Sequence, residues 1–218
     1  GTCVAFAITA ALEHQIGVSA SSGRRRGNSG TDLSEQHMFD SFMRSVNKDA
    51  CNSEGFYVGK GCEVLKKNKI CAESDWRYVS SMSGIKCRAN VPVKAKKGAR
   101  YGIRSFYHLK RKDGRLSCQD PEAIEGFLES GRPVVVAMLL PKNFIKAKRG
   151  ETVDVVIKNG KPLDYEGGHA MVICGFDKKQ RRFLLRNSWG KGWADRGYCW
   201  ITYDFLKTYN YEAAVPVL

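Results

Sequence analysis

Gly167-Gly168-His169-Ala170-Met171-Val172-Ile173-Cys174-Gly175-Phe176-Asp177-Lys178-Lys179-Gln180-Arg181-Arg182-Phe183-Leu184-Leu185-Arg186-Asn187 holds two apolar runs, 170–176 and 182–187, on either side of a charged break. Runs rich in β-branched and aromatic residues and bounded by turn formers read as neighbouring strands. Outward from this pair, residues 133–140, 153–158 and 198–203 have the same character, bounded by Gly, Pro, Asn and Asp. The chain beyond residue 132 therefore reads as β throughout.

The N-terminal half reads differently. Val4, Ile8, Ala11, Leu12 and Ile16 recur at helical spacing, with Thr2 as the expected N-cap and Gly17 as the stop. Residues 19–31, rich in Ser, Gly and Arg, read as a loop. Asp32-Leu33-Ser34-Glu35 has capping-box spacing from Asp32 to Glu35 and opens a helix to about Val46. A third helix is expected near 59–68, and 74–97 loses periodicity. Asp120 as N-cap, Pro121 in the first turn and Gly131 beyond the end mark a fourth helix. Helices first and strands afterwards predict an α+β protein of two halves, with a functional cleft expected between them.

Composition bounds the function classes. The 218 residues are 43% hydrophobic with only 6 Pro, enough apolar material for a packed core and too much for a disordered chain. The longest apolar stretch, 134–140, is far short of the roughly 20 residues that span a bilayer. The chain opens on Gly1-Thr2-Cys3 without a Met or a leader, which reads as a fragment or a processed form. Thirty-six Lys plus Arg against 22 Asp plus Glu leave a net charge of +14 and predict attraction to anionic partners. These cations are scattered among short clusters, with no zinc-finger spacing, aromatic RNA-binding strand or basic heptad, so they read as solvated loops and strand ends. Eight cysteines without a Cys-x-x-Cys pair argue against structural zinc. Four of them, Cys51, Cys62, Cys71 and Cys87, lie in a loop-rich stretch that suits one or two disulfides or buried thiols, while Cys174 and Cys199 sit in apolar strand patterns as core thiols.

Three residues carry chemistry. Cys3 stands in the first turn of the first helix, where unpaired amides and the helix dipole favour a thiolate. His169 follows two glycines at a strand start, where a base can face a cleft; His14, His37 and His108 read as structural. Asn187 ends the next strand. A neutral amide beside an imidazole orients the ring without taking its proton, which suits a thiolate and imidazolium pair.

Gly1-Thr2-Cys3-Val4-Ala5-Phe6-Ala7, Leu33-Ser34-Glu35-Gln36, Gly168-His169-Ala170 and Asn187-Ser188-Trp189-Gly190-Lys191-Gly192-Trp193, with Gly197-Tyr198 beyond, resemble the papain-like cysteine peptidases, in the C1 family's bacterial-type branch. The resemblance runs in order along nearly the whole chain. It implies a two-lobe fold: a helical lobe over 1–115 carrying the nucleophile helix, packed on an antiparallel β-barrel-like lobe over 116–218 that carries the catalytic His and Asn, with the active-site cleft between. By position Cys3 corresponds to the nucleophile, His169 to the general base and acid, and Asn187 to the residue that orients the ring, with Trp189 covering their contact. Residues 52–56, including Gly55 and Phe56, correspond to those that hold the substrate backbone. By the same resemblance Ala137 and Gly168 would border the main specificity pocket, and Trp193 would lie on the leaving-group side.

The sequence departs from the family at Val4, where an aromatic residue is common, and at Gly168, where many relatives carry Asp or Asn; both fit the branch. The family's oxyanion-hole Gln falls upstream of Gly1, and losing one of two oxyanion donors costs about 10²- to 10³-fold in rate. His169 lies 166 residues after Cys3, the excess length falling in 19–31 and 141–165. The resemblance implies a thiol protease acting on a peptide or protein substrate through an acyl-enzyme, with no cofactor and no metal. It further implies a monomer with an N-terminal propeptide or upstream segment, no specific nucleic acid or membrane partner, and a secreted, periplasmic or lysosome-like compartment. The competing expectations are a catalytically impaired papain-fold binding protein and an acyl-transfer or amidase effector using the same three residues.

Overall fold

The computed structural model describes residues 2–22, 30–46, 56–79, 91–110 and 117–218. The chain forms two compact units, one of Gly1–Phe106 with Pro216–Leu218 and one of Tyr107–Val215.

The first unit is helical: α1 (Cys3–Ser22), α2 (Glu35–Val46), α3 (Val58–Lys67) and α4 (Val93–Gly98). The apolar stripe of α1 supplies Ala5, Ile8, Ala11 and Leu12, all fully buried, against α2 and α3. Thr2 stands at the cap position, its carbonyl accepting the Phe6 N–H, but its hydroxyl pairs with the Tyr78 phenol at 3.1 Å and leaves the helix amides alone. The expected stop at Gly17 does not occur. A glycine ends a helix when it adopts positive φ, and Gly17 is absent from the positive-φ glycines, so the helix runs on to Ser22. The cap of α2 is Ser34 rather than Asp32: its Oγ accepts the His37 N–H at 3.0 Å, because Leu33 is drawn into a bridge with Ala72 that keeps residues 32–33 extended. Helix α4 was not expected within the aperiodic 74–97 stretch; six residues following Pro92 are too few to display a period.

The second unit is built on a sheet. In chain order its elements are β1 (Ser105–Lys110), α5 (Pro121–Glu129), β2 (Val134–Pro141), α6 (Lys142–Ile145), β3 (Thr152–Val153), β4 (Ile157–Lys158), β5 (Lys161–Pro162), β6 (Tyr165–Asp177), β7 (Arg182–Arg186), β8 (Tyr198–Thr202), α7 (Tyr203–Tyr209) and β9 (Asn210–Val217), the first two residues of β1 and the last two of β9 being counted with the first unit. Seven strands pair in the order β1-β9-β2-β6-β7-β8-β3, and β4 with β5 forms a separate hairpin. The sheet is mostly antiparallel and open, with β1 and β3 at its edges, so the β-barrel-like expectation is corrected to an unclosed sheet. Its core packs Val134, Val136, Met138, Met171, Ile173, Phe183, Leu185 and Ile201 with Phe144 and Phe205 from the helices.

Helix α5 matches its expected caps: Asp120 accepts the Glu122 N–H at 3.0 Å, Pro121 opens the helix and Gly131 follows at φ +74°. The run expected as one strand over 153–158 is two, β3 and β4, because Asp154 leaves the ladder: its backbone carbonyl accepts from Asn143 and its carboxylate from Thr202. The wholly β expectation for this half also misses α6 and α7, the latter capped by Thr202 Oγ1 accepting the Phe205 N–H. Cys199 is a buried thiol as expected, and Cys174 is half-buried, donating to the Leu184 carbonyl at 3.6 Å. In the first unit Cys71 is a free buried thiol and Cys62 is buried in α3, while Cys51 and Cys87 lie outside the described residues.

Candidate active site

His169 lies on β6 opposite Met138 of β2, and Asn187 follows the last residue of β7, the next strand of the sheet. Antiparallel pairing of β6 with β7 is what brings residues 18 positions apart side by side. Asn187 Oδ1 accepts the backbone N–H of Ser188 at 2.7 Å, which identifies that atom as the amide oxygen. The same oxygen lies 2.8 Å from His169 Nε2. An oxygen accepts, so Nε2 carries the proton, and the neutral ring keeps its lone pair on Nδ1. Burial lowers the His169 pKa below the ordinary histidine value, and the Asn187 hydrogen bond opposes that shift.

The Asn187 side of the pair is held by backbone. Its own N–H donates to the Gly197 carbonyl at 2.9 Å, and the loop between them turns on Gly190 at φ +82° and Gly197 at φ +92°. A side chain at Gly197 would meet the Gly190 carbonyl oxygen at 3.3 Å, so this turn needs glycine for both conformation and space. Trp189 lies against the His169 ring with centroids 4.9 Å apart and an interplanar angle of 32°, yet keeps 40% of its surface exposed. Phe144 of α6, fully buried, packs on both Trp189 and Trp193, and the Trp193 indole N–H donates to the Ile145 carbonyl at 3.1 Å. Sequence reading did not single out Phe144, because a helix of four residues is too short to show a period.

Of the pocket residues expected from resemblance, Ala137 is buried at mid-β2 opposite Ala170, and Gly168 is exposed on β6 with the Tyr211 hydroxyl beside it. Phe56 belongs to the first unit and stacks on Phe42 at 3.5 Å, and Gly55 lies outside the described residues.

Cys3 is the first residue of α1, half-buried and a free thiol. Its helix start is anchored by Tyr78, whose hydroxyl meets Thr2 and whose ring packs edge-on against Phe6 at 4.9 Å. Ser34, Glu35 and Gln36 serve the same region: Ser34 Oγ donates to the Trp76 carbonyl at 2.5 Å, Gln36 accepts the Val79 N–H, and Glu35 accepts from the Thr9 hydroxyl of α1. Burial, with Glu13, Glu73 and Asp32 adding like charge, pushes the Glu35 pKa up to about 7. His37 is structural as expected, accepting the Cys71 N–H on Nδ1. His108 pairs with Glu212 at 2.7 Å. Among the described residues no group of three or more His, Cys, Asp or Glu side chains is placed to hold a metal.

An imidazole whose Nε2 is bound to an amide oxygen, beneath a partly exposed aromatic ring, is an arrangement that can take up and release a proton through its other nitrogen. Comparison with known proteins gives the class its name. The family model described as papain family cysteine protease matches residues 1–216, and the chain belongs to that family. It is 26% identical over 81% of its length to the uncharacterized peptidase C1-like protein L477 of Acanthamoeba polyphaga mimivirus, covering 58% of that protein. It is 29% identical over 91% of its length to cysteine proteinase 1 of Entamoeba histolytica, covering 56% of that protein. The chain thus spans about half the length of the curated relatives it matches. Among solved structures, xylellain, a cysteine protease from Xylella fastidiosa, has the same fold, with a TM-score of 0.70 at 21% identity over the whole of this chain and 80% of that one. Procathepsin L 3 from Tenebrio molitor larval midgut gives a TM-score of 0.69 at 21% identity, covering 63% of its chain.

Proposed function

We propose that the protein is a thiol peptidase in which Cys3, His169 and Asn187 act together. Cys3 is the nucleophile: its thiolate adds to a peptide carbonyl, and the His169 imidazolium gives its proton to the departing amine as the C–N bond breaks. His169 then takes a proton from water through Nδ1, the resulting hydroxide attacks the thioester, and the thiol leaves with its proton restored. Asn187 keeps Nε2–H engaged throughout, so the ring presents Nδ1 at every step. The observation that carries this reading is the 2.8 Å contact between Asn187 Oδ1 and His169 Nε2, with the oxygen fixed by the Ser188 N–H.

Substrate selection belongs to the same proposal. Gly168 and Ala137 border the pocket for the residue before the scissile bond, Phe56 and Gly55 hold the substrate backbone, and Trp193 lies on the leaving-group side. The support is family membership together with the exposure of Gly168 and Trp189 beside His169. An upstream propeptide and an oxidising, extracytoplasmic setting complete the reading.

Hydrolysis of a fluorogenic dipeptide amide tests it. Wild type should give a bell-shaped pH profile of kcat/KM, with an acid limb from Cys3 and an alkaline limb from His169. Cys3→Ala should lose turnover without a change in thermal midpoint; turnover that survives in this variant would assign the nucleophile to another cysteine.

A further inference from the structure

The β4–β5 hairpin, within the 141–165 excursion, is not absorbed by the chemistry described above. Its two central residues, Asn159 at φ +52° and Gly160 at φ +74°, form the tight turn that joins Lys158 to Lys161. All four of its strand residues are exposed, Ile157 by 59%, and Val156 just before them by 42%. An isolated two-stranded hairpin is marginal in water, so this one relies on its base. There Leu163 N–H donates to the Val156 carbonyl, Tyr209 donates to the Leu163 carbonyl, and Asp154 is held by Asn143 and Thr202.

Lys158 with Lys161 and Val156 with Leu163 are the hydrogen-bonded pairs of this ladder, which leaves Ile157 opposite Pro162 as the non-bonded pair. The N–H and C=O of Ile157 therefore point away from β5. Pro162 blocks the other edge, since it has no N–H to offer. Among the described residues no strand pairs with the outer edge of β4; Lys158 and Lys161 flank it, and of the acidic residues just outside the hairpin, Asp154 and Asp164, the first has its carboxylate engaged by Thr202 and the Val155 N–H.

We propose that this edge is a docking site for an extended, acidic and apolar segment of the polypeptide substrate, which adds to β4 as a third strand. The inference rests on the peptidase reading for the identity of the occupant. Charge complementarity selects acidic residues through Lys158 and Lys161 on one face, and the exposed Ile157 offers the apolar contact on the other. Continuity with the site selects the substrate: the hairpin leads directly into β6, and Pro162 is only seven residues from His169. That is at most ~24 Å of chain, a distance spanned by an extended substrate of about seven residues.

Two measurements decide it. The first is anisotropy with a fluorescein-labelled Glu-Leu hexapeptide repeat, against a Glu-Pro repeat that cannot add as a strand. Wild type should bind the first at least tenfold more tightly, and both Lys158→Glu/Lys161→Glu and Ile157→Pro, which removes the outward N–H together with the apolar side chain, should lose that margin. Equal binding of the two peptides, or binding unchanged by both variants, would overturn the proposal. The second compares kcat/KM for a short fluorogenic amide with that for a substrate extended by eight Glu-Leu residues, on either side of the scissile bond. Charge reversal should leave the short substrate unchanged and lower the extended one about tenfold on one side; equal effects on both substrates would count against it. If neither substrate is cleaved, the peptidase reading fails while the binding result still decides the docking site.

Discussion

At the scale of single residues, the proposed chemistry turns on which nitrogen of His169 is protonated. Asn187 decides it by accepting from Nε2, and Ser188 decides Asn187 by donating to the same oxygen. Removing the amide lets the ring rotate and change tautomer. Asn187→Ala should therefore lower kcat by about 10²-fold, the low end of what positioned acid-base groups supply, with KM little changed. Steady-state kinetics on a short amide substrate would show it, and an unchanged kcat would mean that the sheet alone positions the ring. Among the described residues, two other thiols are poor competitors for the nucleophile role: burial pushes Cys174 up to about 11 and Cys199 up to about 12. The local setting of all three proposed catalytic residues is legible in the sequence, because Cys3 sits at a helix start, His169 after a glycine pair on a strand and Asn187 at a strand end. The supporting contacts of Tyr78, Phe144 and Gly197 were not, because they depend on pairings between segments that no local pattern records.

At the scale of elements, the loop between β7 and β8 sets the position of Asn187. Gly197 combines a left-handed backbone with a carbonyl 3.3 Å from where a side chain would begin. Gly197→Ala should cost about 1–3 kcal/mol and shift Asn187 with it, so activity should fall along with the thermal midpoint. Denaturant unfolding alongside kinetics would check this, and a variant as stable and active as wild type would remove the loop from the account. The well-capped α5 offers a plainer case: Asp120→Ala should cost about 1 kcal/mol, seen as a lower urea midpoint at unchanged slope. That helix was read correctly because cap, proline and terminal glycine all agree. The strands 133–140, 182–187 and 198–203 were read to within a residue or two at each end, because continuous apolar runs survive any tertiary context. By contrast α7 is a seven-residue helix entered straight from β8, and β9 alternates too little to be seen as a strand. The 153–158 run hid a break that only the partners of Asp154 reveal.

At the scale of the whole molecule, stability carries a pH signature from the first unit. The Glu35 pKa is raised from an ordinary carboxylate value to about 7, chiefly by burial. The folded chain then holds a proton there that the unfolded chain has released, so stability is fully present below about pH 4.5 and falls as pH rises toward 7. Glu35→Gln should flatten that part of the profile; thermal midpoints between pH 5 and 8 that fall equally in both proteins would assign the dependence elsewhere. The net charge of +14 adds a salt-sensitive surface without choosing a chemistry, as its scatter along the sequence already indicated. The central claim is that Cys3 is a nucleophile activated by His169, and intact-mass labelling with a peptidyl epoxide at pH 6 tests it most directly. One equivalent on wild type, none on Cys3→Ala and at least tenfold slower labelling of His169→Ala is the predicted result. Labelling that persists in Cys3→Ala, or proceeds as fast without His169, would contradict it.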